Sequence, residues 1–330
     1  MKTDIVLLPG DGIGPEIVES VCEILDKANA DIVYHKYDIG ETLYNKSGEL
    51  ISKESLDAIK KYKVALKGPV TTPIGKGFKS VNVQLRLAFN LYVNLRPALS
   101  IENISKYKNV DIVTVRENTE DLYIGEEREI IGGYEAIKRI TTKASDRIIR
   151  YAFEYAKKNN RKKVTCVHKA NILKCSDGLF LNRFNEISKE YKEIEADSKI
   201  IDNMCMQLVM YPERYDVIVA PNLYGDILSD LIAGLVGGLG LVPGANLGDD
   251  VAIFEAVHGS APDIMGLGIA NPIALLEAAC MMLNHIGKKD ISDKINRSVL
   301  KTLSDGKVLT KDLGGNASTK EFTKAIISNL

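Results

Sequence analysis

The N-terminal residues show a short apolar run followed by a helical pattern. Residues 5–8 read Ile-Val-Leu-Leu, a composition typical of a strand buried on both faces. After a glycine-rich turn at residues 10–14, Pro15 stands at a favourable first helical position, and apolar residues recur at positions 17, 18, 21, 22 and 25. This pattern predicts a strand, a turn and a helix, as in an α/β fold with crossover connections.

A helix followed by a strand is also predicted near the middle of the chain. We expect Ser145 to cap a helix with apolar positions 148, 149, 152, 153 and 156 on one face. The basic residues 161–163 are interpreted as its solvated end, and residues 164–167 as the next strand. The longest apolar stretch, residues 231–245, contains five glycines and is too short to cross a bilayer, so it predicts a buried helix ending in a turn.

Composition narrows the class of protein. The 330 residues carry 43 basic and 44 acidic side chains, and this near balance gives no global field that would attract nucleic acid or a membrane surface. The five cysteines are widely spaced without a CxxC pair, which indicates reduced thiols and a cytoplasmic location. The first residues run directly into the apolar strand, so no export signal is expected.

The glycine turn at residues 10–14 does not match the dinucleotide-binding fingerprint. The fingerprint is G-x-G-x-x-G, whereas in this chain Pro15 stands where the pattern needs its third glycine. We interpret the segment as a tight strand-to-helix turn, so any nucleotide cofactor must be bound by another device.

Side chains that could donate hydrogen bonds to an anion are concentrated between residues 80 and 116. Ser80 is the expected N-cap of a helix on which Asn82 and Arg86 lie one turn apart. Arg96 and Arg116 add fork-shaped donors suited to carboxylates. Taken singly, Ser80 could equally be a plain cap and each arginine a surface ion-pair partner, so the hypothesis of a carboxylate site depends on their combination.

Two carboxylates, Asp226 and Asp230, are spaced to share one helix face. Because residues 231–236 are strongly apolar, burying Asp230 is costly unless a cation or hydrogen-bond donors compensate it. The alternative is that Asp226 is an N-cap and Asp230 lies on a polar edge. Lys169 ends the strand at residues 164–168, where open α/β sheets place ligands, although alone it could be a surface lysine.

These residues stand in ordered blocks that together resemble the β-decarboxylating dehydrogenases, the isocitrate/isopropylmalate dehydrogenase family, and within it the NAD-dependent isocitrate dehydrogenases. The resemblance covers nearly the whole chain. The matching blocks are PGDGIGPE at 9–16, KGPVTTP at 67–73, SVNVQLR at 80–86, LYVNLRP at 91–97, VRENTEDLYIG at 115–125, HKANILK at 168–174, PNLYGDILSD at 221–230, FEAVHGSAPDIMG at 254–266 and KDLGGNA at 311–317.

The resemblance implies a two-domain α/β fold with a sheet that contains parallel strands and a cofactor site of non-Rossmann type. Residues 1–98 and 251–330 would form a discontinuous large domain that binds the cofactor. Residues 99–250 would form the small domain with the metal site and the dimer contact. The active cleft would lie between the domains and be completed by a neighbouring subunit, which implies a homodimer or a higher homo-oligomer.

The resemblance also assigns a substrate and roles. The substrate would be a 2-hydroxy tricarboxylic acid, isocitrate, held by Ser80, Asn82, Arg86, Arg96 and Arg116. Mg²⁺ or Mn²⁺ would be bound by Asp226, Asp230 and the Asp202 of a second subunit.

Two further residues would move protons. Lys169 of the second subunit would act as, or relay to, the general base in the oxidation. Tyr123 would protonate the enolate that is left after loss of CO₂.

The resemblance places NAD in two segments. Lys67, Thr71 and Thr72 match positions beside the nicotinamide. Asp263 would accept hydrogen bonds from ribose hydroxyls and repel a 2′-phosphate, which favours NAD over NADP. The residues matching the adenosine site are His258, Gly259, Ser260, Ala261, Pro262, Asp263, Ile264 and Asn271.

Three alternatives remain open at this point. A homoisocitrate or 3-isopropylmalate dehydrogenase would keep the arginines, the lysine, the tyrosine and the aspartates but change the helix before Arg86. A non-catalytic regulatory subunit of a heteromeric isocitrate dehydrogenase would be expected to lose catalytic groups, yet Tyr123 and Lys169 are both present.

Overall fold

The protein is represented by a computed structural model that describes residues 2–71 and 80–330. These residues form two compact units, each with its own strands and covering helices. The first unit comprises the described residues of Met1–Phe89, Ile101–Ser105 and Gly237–Leu330, and the second comprises Asn90–Ser100 and Lys106–Val236.

The strands follow the chain in twelve segments of the described residues. In order they are β1 (Thr3–Leu8), β2 (Ile32–Lys36), β3 (Val64–Lys67), β4 (Val93–Leu99), β5 (Asp111–Glu117), β6 (Glu127–Ile130), β7 (Gly133–Ala136), β8 (Lys163–His168), β9 (Glu195–Ile200), β10 (Val217–Ala220), β11 (Pro243–Leu247) and β12 (Ala252–Ala256).

The α-helices of the same residues alternate with these strands. In order they are α1 (Gly14–Lys27), α2 (Glu41–Ser47), α3 (Lys53–Tyr62), α4 (Val81–Ala88), α5 (Thr142–Lys158), α6 (Ser176–Ile187), α7 (Ile201–Met210), α8 (Asn222–Val236), α9 (Ile273–His285), α10 (Lys289–Asp305) and α11 (Thr319–Ser328). The predicted α/β class is confirmed.

The strands of the first unit lie in the order β2-β1-β3-β12-β11. All neighbours are parallel except β11 and β12, which are antiparallel. Ile5, Val6 and Leu8 of β1 are fully buried, as expected for a parallel strand covered by helices on both faces. Each such aliphatic side chain contributes about 1.5–3 kcal/mol of burial free energy.

The strands of the second unit lie in the order β4-β5-β10-β8-β9, with β4 antiparallel to β5 and the other pairs parallel. A separate antiparallel hairpin is formed by β6 and β7. Strand β4 belongs to this unit because it pairs along its whole length with β5, and β11 belongs to the first unit because it pairs with β12. The chain passes between units after residues 89, 100, 105 and 236, whereas the predicted domain boundaries follow residues 98 and 250.

The predicted cap of the helix at residues 142–158 was wrong by one turn. The N-cap is Thr141, whose hydroxyl accepts a hydrogen bond from the amide of Ala144 at 3.2 Å, and Ser145 lies buried inside the helix. The apolar stretch after residue 230 continues α8 as far as Val236 before a glycine turn. Across residues 2–71 and 80–330, no helix is both long and apolar enough to span a bilayer.

Candidate active site

In the second unit, helix α8 presents two carboxylates to two arginines. The Nη1 atom of Arg96 lies 3.0 Å from Asp230 Oδ1, and its Nη2 atom lies 3.7 Å from Asp226 Oδ1. Arg116 forms a second, very close ion pair with Asp226 Oδ1. Asp226 and Asp230 thus lie on one helix face, as predicted, and Asp226 is an interior helix residue rather than an N-cap.

Both arginines are buried and held from more than one side. Arg96 on β4 is 8% exposed, and its Nε and Nη1 atoms donate to Asn94 Oδ1 and Ser229 Oγ at 2.9 and 2.7 Å. Arg116 on β5 is 1% exposed, and its Nε atom donates to Asn222 Oδ1 at 2.9 Å. Their guanidinium groups are therefore pre-oriented cations, which suits recognition of carboxylates.

Tyr123 lies beside the same pair. Its hydroxyl donates a very short hydrogen bond to Asp226 Oδ2, and its ring lies under the guanidinium of Arg116, with the centroid 5.0 Å from Cζ. The short 3₁₀ turn that carries Tyr123 begins at Asp121, which has φ +71°. The fully buried Asp121 carboxylate accepts from the amides of Leu122 and Leu223, both at 2.9 Å, so it ties the tyrosine turn to the start of α8.

Two buried glutamates in the same segment were not singled out from the sequence. Glu117 accepts from the hydroxyl and amide of Thr119 and from Arg147. Glu120 accepts two 2.9 Å bonds from the amide and hydroxyl of Thr141. The pKa of Glu120 is raised to about 7. Burial and the charge of Glu117 raise it, and they outweigh the lowering effect of the Thr141 donors.

Lys169 and Asp202 form a second cluster of the second unit. Lys169 Nζ lies 2.5 Å from Asp202 Oδ1, and this donated hydrogen bond lowers the pKa of the Asp202 carboxyl. The backbone amide of Lys169 donates to Asp177 Oδ2 at 2.7 Å, and the other oxygen of that buried carboxylate pairs with Lys138 at 2.6 Å. Asp177 and Lys138 therefore fix the end of β8, and sequence reasoning missed both.

One chain does not bring the three predicted metal ligands together. Within the described ranges, no three His, Cys, Asp or Glu side chains form a group that could hold a metal ion. Asp226 and Asp230 lie together with Arg96, whereas Asp202 pairs with Lys169. The assignment of Asp202 to a second subunit stays a prediction.

In the first unit, Lys67 at the end of β3 forms a buried ion pair with Glu255 of the neighbouring strand β12. Their atoms Nζ and Oε2 are 2.6 Å apart, and Asn246 donates to the other glutamate oxygen at 2.5 Å. Burial opposes ionisation of Glu255, but the positive charges of Lys67 and Arg86 outweigh it and hold its pKa at about 2. The sequence patterns did not identify Glu255 as a site residue, although it lies in the matching block at 254–266. Only the register of the paired strands β12 and β3 puts it opposite Lys67.

Helix α4 begins after Ser80 and carries Asn82 and Arg86, as predicted. Ser80 is the N-cap by position, but its exposed hydroxyl makes no capping hydrogen bond. Asn82 Oδ1 is buried and has no hydrogen-bond partner among the described residues. Arg86 is 8% exposed and acts electrostatically on Glu255. The side chains of Ser80 and Asn82 are therefore not used to cap the helix.

The predicted cofactor residues of the first unit are joined by direct contacts. Thr71 Oγ1 lies 2.6 Å from Ser260 Oγ, and the Ser260 carbonyl accepts from the amide of Ile13 at 2.9 Å. Thr72 lies outside the described residues. A cavity in this unit is lined by His258, Gly259, Ala261, Ile264 and Asn271, together with Ile13, Gly240, Ile269, Ala270, Lys311 and Asp312.

Asn271 is anchored at the wall of this cavity. Its Nδ2 atom donates to Asp312 Oδ2 at 2.8 Å, and its Oδ1 atom accepts from the amide of Ile273. Asp312 was not singled out from the sequence. The apolar side chains of Ile13 and Ile264 suit the face of a planar base, and an anchored amide suits its polar edge.

The turn that follows Ser260 is locally strained. Ala261 has φ +40°, which is rare for a residue with a side chain, and a 3₁₀ turn over Pro262–Ile264 follows. Asp263 is exposed, so its carboxylate is accessible to a ligand. Burial lowers the pKa of His258, against the raising effect of its hydrogen bond with the Gly259 carbonyl.

Comparison with known proteins gives matches along almost the whole chain. Residues 4–326 match the family described as isocitrate/isopropylmalate dehydrogenase. A Drosophila melanogaster protein, named as the probable alpha subunit of a mitochondrial NAD isocitrate dehydrogenase, is 50% identical over 99% of this chain and 87% of its own length. A Dictyostelium discoideum protein, named as a regulatory subunit of a mitochondrial NAD isocitrate dehydrogenase, is 51% identical over 99% and 91%.

A crystal structure of isocitrate dehydrogenase from Methylococcus capsulatus superposes with a TM-score of 0.95. It is 49% identical in sequence, and the match covers 99% of each chain. The predicted isocitrate/isopropylmalate dehydrogenase-like fold is confirmed by this similarity.

Proposed function

The chain belongs to the isocitrate/isopropylmalate dehydrogenase family, and we propose that it oxidatively decarboxylates isocitrate to 2-oxoglutarate and CO₂ with reduction of NAD. The observation that carries this proposal is the arrangement around Asp226. The Asp226 carboxylate is contacted by Arg96, Arg116 and the hydroxyl of Tyr123, and a second carboxylate, Asp230, lies one helical turn away. Two arginines that can bind an anion, one tyrosine that can donate a proton and two carboxylates that can bind a cation are thereby gathered around one face of helix α8.

Asp226 and Asp230, with Asp202 of a second copy of the chain, would hold a divalent cation. The residues fit this role because Mg²⁺ and Mn²⁺ prefer carboxylate oxygens, and the two α8 side chains are 35% and 57% exposed. When bound, the cation supplies Lewis-acid stabilisation of negative charge on the substrate oxygens.

The arginines would bind and orient the substrate carboxylates. Arg96 and Arg116 are held rigidly by Asn94, Ser229 and Asn222, so little side-chain entropy is lost when an anion binds. Ser80, Asn82 and Arg86 would take the γ-carboxylate, the group that distinguishes isocitrate from isopropylmalate. The NH₂ group of the Asn82 amide would donate a hydrogen bond to that carboxylate, a bond that an isopropyl group could not accept.

Two side chains would move protons. Lys169, provided by a second copy, would act as the general base or relay to it, and its hydrogen bond to Asp202 orients the ammonium group. Tyr123 would hold the proton that is returned to the enolate carbon. The contact of its hydroxyl with Asp226 fixes the direction of that O–H bond.

NAD would occupy the first unit. Lys67, Thr71 and Thr72 would lie beside the nicotinamide, and the residues from His258 to Ile264 with Asn271 would bind the adenosine. The apolar cavity wall and the anchored Asn271 amide fit a planar base, and the exposed Asp263 carboxylate fits ribose hydroxyls.

A homodimer, or a higher homo-oligomer, is part of the proposal. Helix α7 exposes Met206, Val209 and Met210, and the β6–β7 hairpin exposes Ile131 and Tyr134. Exposed apolar side chains of this size on one helix face, and on one hairpin, are typical of an oligomer interface. A second copy covering them would also supply Lys169 and Asp202.

The regulatory-subunit alternative has one observation in its favour. The Dictyostelium relative, named as a regulatory subunit, is as similar to this chain as the Drosophila relative, named as an alpha subunit. Tyr123, Lys169, Asp202, Asp226 and Asp230 are nevertheless all present, which supports catalysis. The predicted cytoplasmic location stays a prediction, and both of these relatives are named mitochondrial.

An activity assay tests the proposal directly. The purified protein is incubated with isocitrate, NAD and Mg²⁺, and NADH and 2-oxoglutarate are measured with and without EDTA. We expect turnover that EDTA abolishes and that Tyr123→Phe lowers by about a hundredfold, the scale of general acid catalysis. Tyr155→Phe, which removes a half-buried hydroxyl from α5, is the matched control. Absence of turnover by the protein alone would favour the regulatory alternative.

A further inference from the structure

The turn between β1 and α1 contains a buried carboxylate. Asp11 is 4% exposed and stands between Gly10 and Gly12. The turn lacks the dinucleotide fingerprint, and the proposed reaction assigns no role to this residue. A buried carboxylate needs compensating donors, so its partners indicate what it holds in place.

Asp11 accepts four hydrogen bonds from two other segments of the first unit. Its Oδ1 atom accepts from the amide and hydroxyl of Thr42 at 2.8 and 2.6 Å. Its Oδ2 atom accepts from the amides of Glu41 and Thr71 at 3.0 and 2.8 Å. The Asp11 carboxylate therefore caps the N-terminus of α2 and also fixes the backbone of Thr71.

The same turn also contacts the second cofactor segment. The amides of Asp11 and Ile13 donate to the carbonyls of Pro69 and Ser260 at 2.8 and 2.9 Å. The approach is so close that a methyl group at Gly10 would lie 2.0 Å from the Pro69 oxygen, and one at Gly12 1.9 Å from the Ser260 oxygen. The two glycines are needed because backbone packs directly against backbone.

We propose that Asp11 is a positioning residue for the dinucleotide, acting through Thr71. The inference rests on the proposed function, since it takes Thr71 to lie beside the nicotinamide. Thr71 in turn contacts Ser260 through their hydroxyls at 2.6 Å, so the carboxylate of Asp11 fixes the point where the nicotinamide segment meets the adenosine segment.

An amide could keep part of this contact, because asparagine can turn its NH₂ group toward the Thr42 hydroxyl and accept from the Thr71 amide with its oxygen. Asp11→Ala instead removes both acceptor oxygens and leaves the buried donors unpaired. Thr71 should then lose its fixed position, and dinucleotide binding should weaken.

The experiment measures binding rather than turnover. NADH is titrated against the full-length protein by fluorescence, and thermal shift by isocitrate with Mg²⁺ is recorded in parallel. We expect Asp11→Ala to raise the NADH Kd by about tenfold or more while the thermal shift by isocitrate with Mg²⁺ stays as in the wild type.

Two control variants separate cofactor positioning from helix capping. Thr42→Val removes one donor from the α2 side of Asp11 and leaves the Thr71 bond, and Ser52→Ala removes the N-cap of α3, whose hydroxyl accepts from Ser55. Both should lower Tm while the NADH Kd stays within about twofold of wild type. Gly40→Ala, which would place a methyl group 2.1 Å from Asp11 Oδ2, replaces Asp11→Ala should the latter fail to fold.

A folded Asp11→Ala or Gly40→Ala protein that binds NADH as tightly as wild type would overturn the inference while leaving the proposed function standing. Weakening by Thr42→Val equal to that by Asp11→Ala would also overturn it, because the effect would then come from α2. Failure of the wild type to bind NADH would contradict the proposed function and the inference together.

Discussion

Arg116 crosses helix α8 at Gly225 with no space for a side chain. A methyl group at position 225 would lie 2.5 Å from the Cγ atom of Arg116 and 2.6 Å from its Cβ atom. This contact lets the guanidinium reach both Asn222 and Asp226. The absence of a side chain at Gly225 is therefore needed to position the Arg116 guanidinium.

Gly225→Ala should displace Arg116 and lower kcat/KM for isocitrate by about tenfold or more, since misplacement of a binding group by about an ångström has effects of this size. Gly234→Ala is the matched control, because nothing lies within 4 Å of its new methyl group in the same helix. The control should keep its activity and gain about 0.5–1 kcal/mol of stability. Equal activity of both variants would contradict the role of Gly225.

The raised pKa of Glu120 predicts a pH-dependent stability. A carboxyl with a pKa of about 7 in the folded state binds its proton more tightly there than in the unfolded chain, so its favourable contribution is present at low pH and lost as pH rises through 7. Glutamine can accept from the Thr141 amide and donate to its hydroxyl. Glu120→Gln should therefore raise Tm relative to wild type at about pH 8 and much less at about pH 5.

The exposed Glu102→Gln controls for the change in net charge. Thermal denaturation of the three proteins at the two pH values gives the comparison. A Tm difference for Glu120→Gln that is larger at the lower pH would show that the sign is wrong.

The sequence predicted the elements that carry chemistry better than the contacts between them. The apolar run at residues 5–8 and the spacing of Asp226 and Asp230 are local patterns, and both appear as predicted in β1 and α8. Ser145 shows the limit of such patterns. Thr141 and Ser145 both precede apolar positions, and only the backbone conformation decides which of them is the cap.

The residues that were missed act over long sequence distances. Glu255 meets Lys67 because β12 and β3 pair in parallel register, and Asp11 meets Thr71 across three helices and two strands. Neither contact leaves a periodic signal in the sequence. Lys138 and Asp177 are similar, since an ion pair between a connecting segment and helix α6 depends on the fold.

Cofactor choice should depend on Asp263 and Ile264. The exposed carboxylate of Asp263 should repel a 2′-phosphate, so wild type should prefer NAD. Asp263→Lys combined with Ile264→Tyr should shift the ratio of kcat/KM values toward NADP, because the change removes a repulsive charge and adds partners for the phosphate. An unchanged ratio in steady-state assays with both cofactors would mean that this loop does not bind the adenosine ribose.

Shared active sites can be tested by mixing two impaired variants. Lys169→Met and Tyr123→Phe should each keep about a hundredth of wild-type activity or less as homodimers, whereas a hybrid should contain one site with both groups intact. Activity should rise after the chains are exchanged, and differently tagged chains allow the hybrid to be purified. A verified hybrid that is no more active than either homodimer would contradict either the sharing or one of the two roles.

Substrate choice should depend on the start of α4. The side chains of Ser80 and Asn82 are polar and are not used to cap the helix, and their donors should bind a γ-carboxylate rather than an isopropyl group. Changing them to Glu and Leu should lower kcat/KM for isocitrate by more than about tenfold, which is about 1.4 kcal/mol of transition-state stabilisation.

The most direct measurement ranks kcat/KM for isocitrate, homoisocitrate and 3-isopropylmalate, each with NAD and with NADP, for the wild type and the Ser80→Glu, Asn82→Leu double variant. We expect isocitrate with NAD to lead clearly in the wild type and to lose that lead in the double variant. A wild type that turns over 3-isopropylmalate as well as isocitrate, or a double variant with undiminished isocitrate turnover, would contradict the assignment.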